Sequence, residues 1–261
     1  MPDSITVATI NLRNRADRWE ERRHLLVAQL VDAAPDLIAL QELSFPIGQG
    51  RWLRNQINNR LTGGSRAPYQ LVQRRKRHWY HGYFEGVGLL TKLPVLYSDA
   101  LNLGYGGRVA LRAHVQLPSR KTADFVVVHL HHVSHDRQAR LEQVMQLLGW
   151  LRARQHTPRQ IVAGDFNELP DGPAIQAMKQ TFRSVFDEVW GHEPLATFPT
   201  ALVPVRSDWT GCLDYIFVSP AVGPVQSARI FCQQPDPDDP TLYPSDHVGL
   251  LARLGDLGSL H

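Results

Sequence analysis

What most limits the folding of this chain is a set of short runs with no polar face. DLIALQE (36–42) and DFVVVHL (124–130) carry apolar side chains at consecutive positions. Successive strand residues point to opposite sides, so such strands need a covering layer on both faces of their sheet. Strand-like segments recur as SITVATIN (4–11), YQLVQRR (69–75), GVGLLTK (86–92), RVALRAHVQL (108–117), RQIVAGDF (159–166), CLDYIFVS (212–219) and HVGLLARL (247–254). Helical spacing of apolar residues appears at 18–33, 50–61 and 136–154. Strands outnumber helices, which argues against a barrel with one helix per strand and for a mixed α and β fold. No internal repeat is found, and the Pro/Asp-rich stretch at 233–244 reads as a loop, because one more strand follows it.

A chain of 261 residues is read as one domain spanning 1–261, since cores split only above roughly 250–300 residues. With 43% hydrophobic and 20% charged residues it has a globular composition, and no apolar stretch approaches the ~18 residues of a membrane helix. The N-terminus shows no basic segment followed by an apolar stretch, so the expectation is a soluble, cytoplasmic monomer. Cys212 and Cys232 are too few for a disulfide framework and are read as buried or free thiols. The net charge of +3 favours polyanionic partners only weakly. Of 28 basic residues four are lysines, leaving 24 arginines, so a single arginine here is poor evidence of phosphate binding.

Polar residues gather at the strand ends. In GDFNELP (164–170), Asp165 and Asn167 are spaced to share a face while Phe166 turns inward. Alone, this heptad also reads as an ordinary strand end, since Gly, Asp and Asn favour turns. Yet Asn11 ends the first strand, Glu42 the second and His129 another; Asp214 lies near the start of CLDYIFVS, and Asp246 with His247 in PSDHVGL at the start of the last strand. Singly, Asn11 could be a cap, Glu42 a solvated terminus and Asp214 a bulge residue. As a set they fit one chemistry. A hard cation such as Mg2+ or Mn2+ takes oxygen ligands, and Glu42, Asp246 and the amide oxygen of Asn11 are of that type. Hydrolysis of a phosphodiester needs a water whose proton Asp165 could accept, with His129, His247 and Asn167 as donors to the developing charge. Asp214 would orient His247 from behind.

With these motifs in hand, the sequence resembles the endonuclease/exonuclease/phosphatase, or DNase I-like, superfamily. TINLR, the W-x-x-R-R of Trp19 to Arg23, PDLIALQE, EGVGLLTKLPV, VVVHLHHVS, GDFN, LDYIFVS and SDH occur in the family's order over nearly the whole chain. The resemblance implies an α+β fold, a four-layer α/β/β/α sandwich of two packed mixed β-sheets with helices outside, and a divalent-metal site at one rim. It also implies Glu42 as metal ligand with Asn11 and Asp246 near the metal, His129 and His247 facing the phosphate, Asp165 and Asn167 positioning water and phosphate, and Asp214 paired with His247. Glu85 resembles the acid that in some members supports the first histidine.

One departure stands out. Members with the closest pattern carry an acid two residues after the first histidine, whereas this chain has His131, then His132 and His135. Imidazoles also suit zinc, but the H-x-H-x-D-H pattern of metallo-β-lactamase-type hydrolases would need Asp at 133 and His at 134, where Val133 and Ser134 stand. The remaining reading is one catalytic His129 with the others lining the rim. The basic segment RRKRHWYH (74–81) could track a phosphate backbone and stack bases, or be a solvated hairpin tip. The expected substrate is therefore a phosphoester, with DNA or RNA first, a nucleotide, lipid-headgroup or inositol phosphate as the alternative, and a non-catalytic binding module last.

Overall fold

The computed structural model describes residues 4–61, 68–78, 84–153, 157–205 and 209–255. Within them, two six-stranded sheets pack face to face. The first runs β11 (Val225–Phe231), β12 (Gly249–Leu254), β1 (Ile5–Asn11), β2 (Leu37–Ser44), β4 (Glu85–Thr91), β3 (Gln70–Arg75). The second runs β5 (Val95–Asn102), β6 (Val109–Gln116), β7 (Thr122–His129), β8 (Gln160–Asp165), β10 (Asp214–Val218), β9 (Arg183–Ser184). The pairs β1/β2 and β7/β8 are parallel and the other pairings antiparallel. Helix α1 (Trp19–Ala33) connects the first parallel pair and α3 (Arg137–Ala153) the second. The remaining helices are α2 (Gln49–Leu61), α4 (Pro173–Lys179) and α5 (Val185–Trp190).

The doubly apolar runs are explained by where alternate residues go. Val7, Ala39, Leu89, Val127, Ala163 and Ile216 meet between the sheets. The opposite parity of the first sheet, Ala8, Ile38 and Leu40, packs on Leu26, Leu30 and Leu53 of α1 and α2. Val126, Val128 and Val162 of the second sheet pack on Val144, Leu147 and Ile175 of α3 and α4. Helix, sheet, sheet and helix thus form the four layers that the family resemblance implies.

The structure adds β5, β9 and β11 to the strands read from sequence. All three are edge strands. An edge strand keeps one side in water, so VLYSDALN and VQSARIF mix polar and apolar residues and carry no apolar run. Helices α4 and α5, of 7 and 6 residues, are too short to display a helical period. Both cysteines are buried free thiols, as expected. No helix among the described residues is long and apolar enough to cross a membrane.

Candidate active site

Strand register builds the site. In the second sheet, His129 pairs with Asp165 across β7/β8, and Asp165 pairs with Asp214 across β8/β10, so three strands deliver one row of side chains. In the first sheet, the parallel register sets Asn11 beside Gln41, and the β2/β4 ladder sets Ser44 beside Glu85. Between Leu40 and Leu43 that ladder slips. Ile38, Leu40 and Leu43 all lie in the helix-side core, so Glu42 is the extra residue of a bulge, with φ of 55°. Without the bulge, strand parity would send Glu42 toward the helices with Leu40; the bulge re-aims it to the rim.

The GDFN segment works differently from a continuing strand. A Cβ on Gly164 would stand 2.0 Å from the carbonyl oxygen of Val128, and its φ of 153° disfavours other residues, so only glycine lets β8 lie against β7 here. Asp165 ends the strand, and the chain then turns. The Asn167 N–H donates to Asp165 Oδ1 at 2.8 Å, and Asn167 takes φ of 49°. Its Nδ2 donates to the Leu130 carbonyl at 3.2 Å. Asp165 and Asn167 converge on one cavity as expected, but through an Asx turn rather than strand alternation.

His247 Nδ1 lies 2.8 Å from Asp214 Oδ2, and its Nε2 3.9 Å from Asp165 Oδ2. Burial opposes charge on this imidazole, yet the charge and hydrogen bond of Asp214, with Asp246 and Asp165 nearby, raise its pKa to about 10. His129 sits between Glu85, 3.6 Å from its Nδ1, and Asp165, 3.6 Å from its Nε2. Burial and then Arg108 and Lys76 push it well below the usual imidazole range, so it is neutral. Burial, then the charge of Asp214, raises the Asp165 carboxyl, although Asn11 Nδ2 donates to its Oδ2 at 2.9 Å. Burial, Glu85 and Asp246 likewise raise Glu42. The cavity above these groups has a volume of about 810 Å3, walled on one side by Phe198 and Trp209.

Among the described residues, the groups of three or more acidic, histidine or cysteine side chains whose ligand atoms lie within 4.8 Å of one another are Glu42, Glu85 and His129, and Asp165, Asp214 and His247. Of the set Asn11, Glu42 and Asp246 read from the sequence, Glu42 belongs to the first group, Asp246 to neither, and Asn11 is an amide beside both Glu42 and Asp165. Asn11 Oδ1 accepts from the Arg13 N–H at 2.9 Å, which turns its NH2 toward Asp165 and Glu42. Asp246 is met by Arg13 Nε at 3.3 Å and by Ser245 Oγ at 3.2 Å. In the second cluster Asp214 is committed to the His247 imidazolium. Glu42 is the carboxylate that fits a hard cation: it is half-buried beside two other acids, and its amide neighbours Asn11 and Asn14 stand at 3.4 and 3.2 Å.

The Endonuclease/Exonuclease/phosphatase family matches residues 8–247. The chain belongs to that family. No curated protein matches the sequence. Among solved structures, the human Nocturnin catalytic domain with bound sulfate is 21% identical with a TM-score of 0.76, covering 97% of this chain and 93% of that one. D. rerio TDP2 complexed with single strand DNA product is 17% identical with a TM-score of 0.74, over 96% and 98% of the two chains. ANGEL2, a 2',3'-cyclic phosphatase, is 13% identical with a TM-score of 0.75, over 98% and 96%. At these identities the likeness concerns the shared fold.

Two residues that hold this cavity together have no role assigned from the sequence. Arg22, fully buried, donates to the carbonyls of Leu12, Arg13, Asn14, Ala16, Asp17 and Pro244. Arg140 binds Glu168 at 3.0 Å and the carbonyls of Val133 and Ser134 at 2.6 and 2.9 Å, fixing the histidine loop. A sequence signal existed: Arg22 shares the buried stripe of Leu26 and Leu30, and Arg140 that of Val144, Leu147 and Leu151. An arginine on an apolar stripe must find buried acceptors. His131 turns to Asp136 at 3.3 Å, His132 to Arg108 at 3.2 Å, and His135 lines the cavity, so these three do not gather as a zinc site. In the basic segment, Arg74 and Arg75 are exposed on edge strand β3, while Lys76 turns into the cavity; Trp79, Tyr80 and His81 lie outside the described residues.

Proposed function

We propose that this chain is a Mg2+- or Mn2+-dependent phosphodiesterase that cleaves nucleic acid by in-line attack of water on phosphorus. The observation that carries this reading is the row His129, Asp165, Asp214 in register across three strands, with His247 bonded to Asp214 and Glu42 facing it from the other sheet. Asp165 is the base. Its pKa is raised toward neutrality, while hydrogen bonds from Asn11 Nδ2 and the Asn167 N–H fix its direction. His247, held as an imidazolium by Asp214, offers a charged Nε2–H to a phosphoryl oxygen. His129, held neutral, donates or accepts without adding charge, and Asn167 supplies a neutral amide. Glu42 would hold the cation, with Asp246 and Glu85 adding negative charge around it. A bound divalent ion supplies Lewis-acid stabilisation of the phosphoryl charge.

The TDP2 structure with its single strand DNA product supports nucleic acid as the substrate class, as do exposed Arg74 and Arg75. A small-molecule or lipid-headgroup phosphoester is the second reading, consistent with a cavity volume in the range of small-ligand sites. Hydrolysis of bis(p-nitrophenyl) phosphate with Mg2+ or Mn2+ should stop in EDTA. Full activity after exhaustive metal removal rejects the metal, and no activity with either ion favours a binding module. A panel of DNA, RNA, nucleotide monoesters and sphingomyelin then separates the two substrate readings.

A further inference from the structure

The wall of the cavity beside Glu85 holds more positive charge than the reaction just described uses. Lys76 Nζ pairs with Glu85 Oε1, and the Arg108 guanidinium lies 3.7 Å from the same oxygen, beyond hydrogen-bond distance. Arg108 is 4% exposed, and its Nη1 has no hydrogen-bond partner. Its Nη2 lies 3.2 Å from His132 Nδ1. Arginine can only donate, so His132 Nδ1 accepts and its ring proton sits on Nε2, an additional donor. His129, on the far side of Glu85, is neutral. One carboxylate therefore faces two cations, with Glu42 and Asp165 at longer range and already engaged in the reaction. A buried guanidinium N–H without an acceptor is costly unless an anion completes it.

We propose that Lys76, Arg108 and His132 form an anion subsite for a second phosphate of the substrate, next to the phosphate that is attacked. This rests on the phosphoesterase reading above and narrows its substrate class to compounds with at least two neighbouring phosphates. The subsite is pre-built. The turn 104–107 has positive φ throughout, the Arg108 N–H donates to the Gly104 carbonyl at 2.9 Å, and the Arg77 N–H to the Gly107 carbonyl at 2.7 Å. That turn fixes the start of β6 against the end of β3, so Arg108 and Lys76 face the same point. A Cβ at Gly107 would stand 2.6 Å from the Arg77 carbonyl carbon, so no other residue allows this contact. The guanidinium fork, the ammonium and the imidazole N–H match the several oxygens of a phosphate.

The test compares a dinucleotide with and without a 5'-terminal phosphate, using wild type, Lys76→Gln and His132→Ala with Mg2+. Wild type should show a KM about tenfold lower for the phosphorylated form, the size expected of one charge-assisted contact pair, and the ratio should fall to about twofold in each variant. A wild-type ratio near one, or an unchanged ratio in both variants at wild-type melting temperature, overturns the subsite. In parallel, thermal melting in EDTA is followed with inorganic pyrophosphate. A stabilisation present in wild type and lost in both variants supports the subsite even if neither dinucleotide is cleaved, in which case the phosphodiesterase reading is what fails. Equal stabilisation of all three proteins, or none in wild type, overturns it.

Discussion

Replacing Arg22 with methionine keeps the aliphatic stem and removes a guanidinium bonded to six backbone carbonyls. Four of those, on Arg13, Asn14, Ala16 and Asp17, belong to a part-exposed loop and can turn to water. The contacts to Leu12 and Pro244, at 3.0 and 2.9 Å, are buried, so those two carbonyls would be orphaned. Each orphan costs about 1–3 kcal/mol. Set against this is the desolvation that lowers the Arg22 pKa to about 10, a burden methionine does not carry. The balance is a loss of about 3 kcal/mol, or roughly 6–12 °C in Tm for a domain of this size. Activity should fall too, because Pro244 leads into Asp246 and the loop follows Asn11. Arg22→Lys, with three donors instead of five, should fall between wild type and Arg22→Met. Differential scanning calorimetry and bis(p-nitrophenyl) phosphate turnover are the measurements. A Tm within 2 °C of wild type together with unchanged turnover in Arg22→Met would refute the reasoning.

Three other outcomes are expected. Glu42→Gln should lower rate and metal affinity together, seen as a higher Mg2+ concentration for half-maximal activity, because the amide keeps the shape but not the charge. Asp214→Asn and His247→Ala should each cost several kcal/mol in kcat/KM, about 10²–10⁴-fold, and the double variant little more than the worse single one; additive losses would show independent action. The raised pKa of His247 means that its protonated form contributes stability in full below the unfolded value of about 6.5, and that this contribution is lost as pH rises through about 10. NMR titration should therefore place His247 near pH 10 in wild type and far lower in Asp214→Asn.

The parts of the fold legible in the sequence are those whose residues answer to one force. β2 and β7 were readable because both faces are dry, whereas β5 and β11 were not, because an edge strand divides its residues between water and core. The same holds in the site. Its acids and histidines stand out at the ends of apolar runs, which is why Glu42, His129, Asp165, Asp214 and His247 can be singled out as candidates, and the structure brings four of them to one cavity with Asp214 behind His247. What pattern could not supply was direction. The bulge that turns Glu42 to the rim, the Asx turn at Asp165 and the orientation of the Asn11 amide depend on contacts between residues up to 154 positions apart. Arg108 gives no signal in the sequence because, in a chain this rich in arginine, its type carries little information until its burial is known.

Arg22 and Arg140 each occupy the fourth position of the helix that crosses over a parallel strand pair, and each reaches back to the loop before its helix. The loop ahead of α1 carries Arg13 and Asn14, and the loop ahead of α3 carries His131, His132 and His135, so each side of the cleft is fastened by its own helix. The unit that carries each loop's shape is therefore larger than the loop. It is a strand end, its loop and the first turn of the helix that follows. A graft that moves the histidine loop without Arg140 would transplant its chemistry while leaving behind what gives it shape, and a chimera cut after that arginine should keep both.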